Sequence, residues 1–162
     1  MATTTRQVPD LSFLLNHVSY VLRTRMDAAF AEIGLTPRGY CVLSKALSGE
    51  YTQIELAKMS DLDKTTMVNT LDELENLGYA ERRPSPADRR ARIVVVSPAG
   101  AVAVDDGTRI ADRVHHEILD ALEPDQRDVF ESALGTLADG LLAEPVECDR
   151  PVRRPRVLES SP

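Results

Sequence analysis

The sequence predicts a mainly α-helical chain interrupted once by a small antiparallel β-hairpin, and three observations carry that expectation. Two short amphipathic helical patterns, separated by a polar turn, occupy residues 52–78. They are followed by an arginine-rich segment with Pro84 and Pro86, which forbid helix, and then by the β-branched run Ile93 to Val96. On both flanks, from Leu11 to Ile33 and from Pro98 to Leu142, apolar residues recur at helical spacing.

Residues 1–9 read as a flexible N-terminus, after which Asp10 caps a helix through Leu14, Leu15, Val18, Val21, Leu22, Met26, Ala29, Phe30 and Ile33, with Gly34 as its stop. Thr36-Pro37 starts a second helix through Tyr40, Leu43 and Leu47 that ends near Gly49, because proline suits the first helical position. Thr52-Gln53-Ile54-Glu55 is a capping box: the threonine hydroxyl takes the amide three residues on and the glutamate reaches back. The helix it opens carries Ile54, Leu56, Ala57 and Met59 and gives way at Ser60-Asp61. Asp63 then caps a fourth helix whose buried stripe is Met67, Leu71, Leu74 and Leu77 and whose end is marked by Gly78. The two hairpin strands follow, with Asp88, Arg89 and Arg90 at the tip. Ser97-Pro98 starts a helix to about Leu122, and Pro124 begins the last one, with Val129, Phe130, Leu134, Leu137, Leu141 and Leu142 on one side.

The exposed face of the fourth helix is expected to hold Thr65, Thr66, Asn69, Thr70, Glu73 and Asn76. Its N-terminal half, with Lys64, offers groups that bond phosphates and base edges, as in a recognition helix that enters the major groove by its N-terminus. Taken alone, the same pattern also suits an ordinary solvated helix face. Charge favours the first interpretation: residues 79–100 hold five arginines (82, 83, 89, 90 and 92) against Glu81 and Asp88, a balance of +3 in a chain of net charge −7. Residues 101–149 contribute −10. Positive charge is thus kept in the hairpin of an acidic protein, the footprint of a phosphate-binding element. The predicted fold is a winged helix-turn-helix with a helical dimerisation region. Its DNA-binding candidates are Lys64, Thr65, Thr66, Asn69, Thr70, Arg82, Arg89, Arg90 and Arg92, with Asp88 orienting the wing.

At these residues the chain resembles the MarR (multiple antibiotic resistance) family of winged-helix transcriptional regulators, over about residues 10 to 143. Asp88-Arg89-Arg90-Ala91-Arg92-Ile93-Val94-Val95-Val96-Ser97-Pro98-Ala99-Gly100 is similar to the family's wing signature throughout. Leu62-Asp63-Lys64-Thr65-Thr66 echoes the recognition-helix opening, and Leu74-Glu75-Asn76-Leu77-Gly78-Tyr79 stands where the family has a leucine, a charge and a glycine before the first wing strand. Where the family often carries an arginine on this helix, Asn69 stands here, and asparagine prefers the N6/N7 edge of adenine. The resemblance implies a two-fold dimer built from the first and the last two helices. Residues 10–35 and 98–143 are then dimerisation helices and 36–97 the winged helix-turn-helix of a single domain. It also implies a palindromic duplex-DNA operator and a repressor released by a small phenolic or other aromatic effector. His17, Tyr20, Tyr40 and Arg113 are the candidates to line such an effector crevice.

Composition agrees. The length of 162 residues suits one domain, and 43% hydrophobic content is ample for a core. No long apolar run or signal-peptide pattern is present, so a cytoplasmic location is expected. Cys41 and Cys148 are too far apart for a disulfide framework; Cys41 is expected to be a buried, inert thiol. His115 and His116 are adjacent and point about 100° apart on a helix, poor spacing for one metal. No catalytic grouping, cofactor motif or metal site is found, so an enzyme is not expected. Residues 144–162, with four prolines and Arg150, Arg153, Arg154 and Arg156, read as a flexible basic tail. Two other functions stay open at this point: a DNA-binding architectural protein without effector, and a protein-interaction module whose basic wing meets an acidic partner.

Overall fold

The computed structural model describes residues 10–85, 91–144 and 146. The N-terminal nine residues, the hairpin tip with Asp88, Arg89 and Arg90, and Cys148 with the basic tail lie outside the described residues. Among those described, the elements run α1 (Leu11–Phe30), α2 (Pro37–Leu47), α3 (Gln53–Met59), α4 (Lys64–Asn76), β1 (Ala80–Pro84), β2 (Arg92–Val96), α5 (Pro98–Leu119) and α6 (Pro124–Asp139). They form two compact units, one up to Ile118 and the other from Leu119 onward.

Each helix start is made by the side chain that the local sequence supplies. Asp10 accepts from the Phe13 amide at 3.1 Å and Thr36 Oγ1 from the Gly39 amide at 3.0 Å. Thr52 and Glu55 form the reciprocal box, the Glu55 amide donating to Thr52 Oγ1 at 3.3 Å and the Thr52 amide to Glu55 Oε2 at 2.7 Å. These bonds hold the Glu55 carboxyl below the usual carboxylate range. Such caps contribute about 1 kcal/mol each. Helix α1 stops three residues short of the expected end: Ala31–Ile33 tighten into a 3-10 turn before Gly34, at φ 64°, reverses the chain.

Both ends of the helix-turn-helix are closed by the same backbone device. After α3 the Leu62 amide donates to the Ala57 carbonyl at 2.9 Å and the Asp61 amide to the Lys58 carbonyl at 3.3 Å. After α4 the Tyr79 amide donates to Leu74 at 2.9 Å and the Gly78 amide to Glu75 at 2.9 Å. Each is a Schellman turn, whose C′ residue must be left-handed. Gly78 meets that need at φ 71°, but the first turn uses Asp61 at φ 51°. Valine in that conformation costs about 1–2 kcal/mol while glycine costs nothing. Asp61→Val is therefore expected to lower unfolding stability by about that amount and Asp61→Gly to leave it within about 0.5 kcal/mol. Equal losses in urea denaturation would place the importance in the carboxylate, not in φ.

The core of the first unit gathers Phe30, Leu35, Val42, Leu43, Leu56, Met67, Leu71 and Leu74, with Val94 from β2 and Val104 and Ile110 from α5. Strands β1 and β2 pair antiparallel from Ala80 opposite Val96 to Pro84 opposite Arg92. A third short partner escapes the sequence pattern: the Val94 amide donates to the Tyr51 carbonyl at 3.1 Å, and Thr52 bridges Ile93. The chain leading into α3 thereby becomes an edge of the hairpin. One residue of the expected buried stripe is in fact on the surface: Leu77 is exposed, because it is the C-cap of α4, and on the seven-residue α3 Ile54 and Met59 are exposed as well. Cys41 is half-buried, beside the buried Val42.

Most of α1 makes no contribution to this core. Leu11, Phe13, Leu14, Leu15, Val18 and Tyr20 are exposed, and the helix is buried only at Phe30. In the second unit, Arg127 Nε donates to the Leu122 carbonyl at 3.2 Å and its guanidinium pairs with Asp120 at 2.9 Å, fixing the start of α6. Val129, Phe130, Leu134 and Leu137 on that helix are exposed. Leu141 and Leu142 lie past its end. No helix of the described residues is long and apolar enough to cross a membrane.

Candidate nucleic-acid interface

The start of α4 is defined by Asp63, whose Oδ1 accepts from the Thr66 amide at 2.9 Å and whose Oδ2 accepts from the Thr66 hydroxyl at 2.8 Å. The hydroxyl proton of Thr66 is therefore committed to the cap, leaving its oxygen to accept. Lys64, Thr65 and Asn69 are exposed on the first two turns. They form the part of the expected face that the structure leaves open to a partner.

Thr70 does not belong to it. Its residue is 2% exposed and its hydroxyl donates to the Thr66 carbonyl at 2.8 Å. The cause is helical geometry: Thr70 lies three residues after Met67 and four before Leu74, on the buried stripe. The bond to the preceding turn satisfies a hydroxyl that would otherwise be costly to bury.

Arg82 is also placed differently from expectation. Its Nη2 donates to Asp72 Oδ1 at 2.5 Å and to Glu75 Oε2, and its backbone amide donates to Glu75 Oε1 at 2.7 Å. The arginine side chain is 23% exposed, against 58% for the neighbouring Arg83, which pairs with Glu81 on its own strand. The Arg82 guanidinium holds the Glu75 carboxyl below the usual carboxylate range, against the opposing effect of partial burial. Its own pKa is raised further by those two acids, so it stays charged at every accessible pH. Arg92, opposite Pro84 at the start of β2, is exposed.

The hairpin is tied to α5 by Ser97. Its hydroxyl donates to the Gly78 carbonyl at 2.6 Å and accepts from the Gly100 amide at 3.0 Å, while its amide donates to the Tyr79 carbonyl at 2.9 Å. One small residue thus joins the end of α4, the entry to β1 and the start of α5. On α2, the Lys45 ammonium donates to the Met59 carbonyl at the end of α3. A cation there satisfies an unpaired carbonyl and favours the negative end of the helix dipole. The cap that Ser97 gives α5 is legible in the sequence, whereas its bond to Gly78 and the Lys45 contact have no local sequence signature.

Comparison with known proteins places this arrangement. A model of the MarR family matches residues 33–91, from the end of the 3-10 turn to the base of β2. The segment that holds the helix-turn-helix and the first hairpin strand is thus similar to the MarR family. A MarR-family transcriptional regulator from Rhodococcus sp. RHA1 superposes with TM-score 0.73 at 26% identity, over 82% of this chain and 96% of that one. The repressor CouR bound to a 23-mer DNA duplex superposes with TM-score 0.73 at 27% identity, over 79% of this chain and 92% of that one. CouR from Rhodococcus jostii RHA1 bound to p-coumaroyl-CoA does so with TM-score 0.70 at 26% identity, covering 86% and 96%.

The four candidate effector residues do not converge within the first unit. Tyr40 is half-buried where α2 meets α5: its ring lies 5.2 Å from that of Phe30, and its hydroxyl is 3.1 Å from Thr108 Oγ1. Arg113 pairs with Glu32 at 2.9 Å and lines a shallow crevice with Arg25, Ala29 and Glu117. His17 stacks on Phe13 at 5.7 Å, and Arg23 lies over the ring of Tyr20, both on the exposed part of α1. The sequence grouped them by residue type, and one chain by itself separates them.

Proposed function

We propose that this chain is a MarR-type homodimeric transcriptional repressor that binds a palindromic duplex operator and is released by a small aromatic effector. The observation that carries DNA binding is the open N-terminal half of α4, with Lys64, Thr65 and Asn69 exposed beside an arginine-bearing hairpin in a chain of net charge −7. A helix presented in this way places Asn69 on base edges and leaves Lys64 and the hairpin arginines Arg89, Arg90 and Arg92 to meet phosphates. The dimer is supported by the exposed apolar faces of α1 and α6. The effector is supported by the likeness to the CouR complex with p-coumaroyl-CoA, and the repressor sense by the likeness to CouR as a transcriptional repressor on DNA. An effector crevice that uses Tyr20, His17 and Arg113 is completed by the second protomer.

The test is selection of duplexes from a random pool, followed by equilibrium binding across salt. A palindromic consensus whose affinity falls steeply with salt is expected, because phosphate contacts release counterions. Salt-insensitive or absent binding would remove the DNA reading and favour a protein partner for the wing. On the selected operator, Asn69→Ala is expected to cost about 1–3 kcal/mol and little on random DNA, with relaxed preference at one base pair. Competition with singly substituted operators measures this; a uniform loss on every duplex would assign Asn69 to the backbone.

A further inference from the structure

We propose that Arg82 is a positioning residue: spanning Asp72 and Glu75, it clamps the first hairpin strand to the C-terminal half of α4, so that recognition helix and wing meet DNA as one rigid body. The proposal rests on the DNA-binding function above, and it assigns Arg82 to the protein's interior organisation instead of to phosphate.

The geometry supports it in three ways. First, Glu75 takes two donors from the same residue, the Arg82 amide at 2.7 Å and the guanidinium, which fixes both backbone and side chain of that strand position. Second, Asp72, one turn earlier on α4, shares the same Nη2 at 2.5 Å, so the guanidinium bridges two successive turns of the helix. Charge-assisted hydrogen bonds are about twice as strong as neutral ones. A phosphate contact would require the side chain to leave both carboxylates and expose two adjacent negative charges at the DNA-facing helix. Third, the joint that the clamp spans contains Gly78, at φ 71° and with no heavy atom near its would-be Cβ, so local backbone sterics do little to stiffen it. Ser97 braces that joint through the Gly78 carbonyl. Arg82 supplies a second, separate brace.

The test is a double-mutant cycle of Arg82→Gln and Glu75→Gln in the full chain. Operator and random duplexes are titrated over a range of salt at a temperature where circular dichroism shows every variant folded, with active fractions fixed by stoichiometric titration. If Arg82 positions, each single variant loses about tenfold in operator affinity and little on random DNA. The salt slope then stays unchanged, and the double variant is no weaker than either single one. If Arg82 instead contacts phosphate, Arg82→Gln flattens the slope by about one ion on both duplexes. Glu75→Gln, by freeing the arginine, then binds as well as wild type or better. That outcome overturns the proposal, as does unchanged operator affinity in Arg82→Gln. A readout without DNA keeps the clamp separate from the function: Glu75→Ala is expected to speed hydrogen exchange at the Arg82 amide at least tenfold. Unchanged exchange there would refute the clamp, whereas wild-type protein that binds no duplex would refute the DNA function alone.

Discussion

Replacing Leu134 and Leu137 with glutamate is expected to convert the protein to folded monomers and to lower operator affinity by about a hundredfold or more. Both side chains lie on α6 together with Phe130, and each remains more than a third exposed in the single chain, Leu134 at 45% and Leu137 at 37%. Burying a large apolar side chain contributes about 1.5–3 kcal/mol, and two-fold symmetry presents every such residue twice. With about two fifths of each side chain left to bury, two leucines per chain account for about 2–5 kcal/mol of association, a large share of the roughly 8–12 kcal/mol of a micromolar to nanomolar dimer. Four buried carboxylates would reverse the sign of that contribution. A monomer carries one recognition helix and one wing and reads one half-site, which is why DNA affinity should fall with the dimer. Sedimentation equilibrium gives the mass and a gel shift the affinity. A folded monomeric variant that holds the full palindrome as tightly as wild type would rule out two-fold recognition.

Gly100→Val should be the most destabilising single substitution at the hairpin, costing about 3 kcal/mol and lowering Tm by roughly 6–12 °C. A Cβ at position 100 would stand 2.0 Å from the Tyr79 carbonyl oxygen and 2.9 Å from a Val96 methyl. The obstructing atom is backbone, and its carbonyl already accepts the Ser97 amide at 2.9 Å, so no rotamer change relieves the clash. The start of α5 would have to move away from the α4–β1 joint. Thermal unfolding measures the loss; a Tm within 2 °C of wild type would mean that the start of α5 yields to the added side chain at little cost.

The parts of this fold that were legible in the sequence are those written in short-range chemistry. Asp10, Thr36, Thr52 with Glu55, and Asp63 announce their helices because a cap needs only the residue itself and an amide three positions on. Gly78 likewise marks its turn by its own conformational freedom, and Ile93 to Val96 declare a strand by β-branching. Thr70 was legible too, by spacing: its place between Met67 and Leu74 puts it on the buried stripe, and only its hydroxyl suggested otherwise. Arg82 was not. An arginine tally over the hairpin treats all five side chains alike, whereas the acids that hold this one sit seven and ten positions back, on a different element. The Tyr51 edge of the sheet and the Lys45 contact with α3 were hidden for the same reason, since neither has a period or a motif. The effector residues were the weakest group, because a crevice is a property of surfaces and a residue list carries no shape.

The hydrogen bond from Val94 to Tyr51 joins positions about forty residues apart, with the whole helix-turn-helix enclosed between them. Closing a loop of that length costs chain entropy before any contact repays it, whereas α3, its turn and α4 close over only a few residues each. The expected order of assembly is that the helix-turn-helix condenses first and the edge at Tyr51 zips onto β2 late. A residue that docks after the barrier changes the rate of escape from the native state and leaves the rate of arrival alone. Replacing the Val94 amide by an ester, which removes this bond and keeps the buried side chain, should accordingly leave the folding limb of a chevron plot unchanged and raise the unfolding limb alone, which makes this short edge a lock on the lifetime of the folded chain.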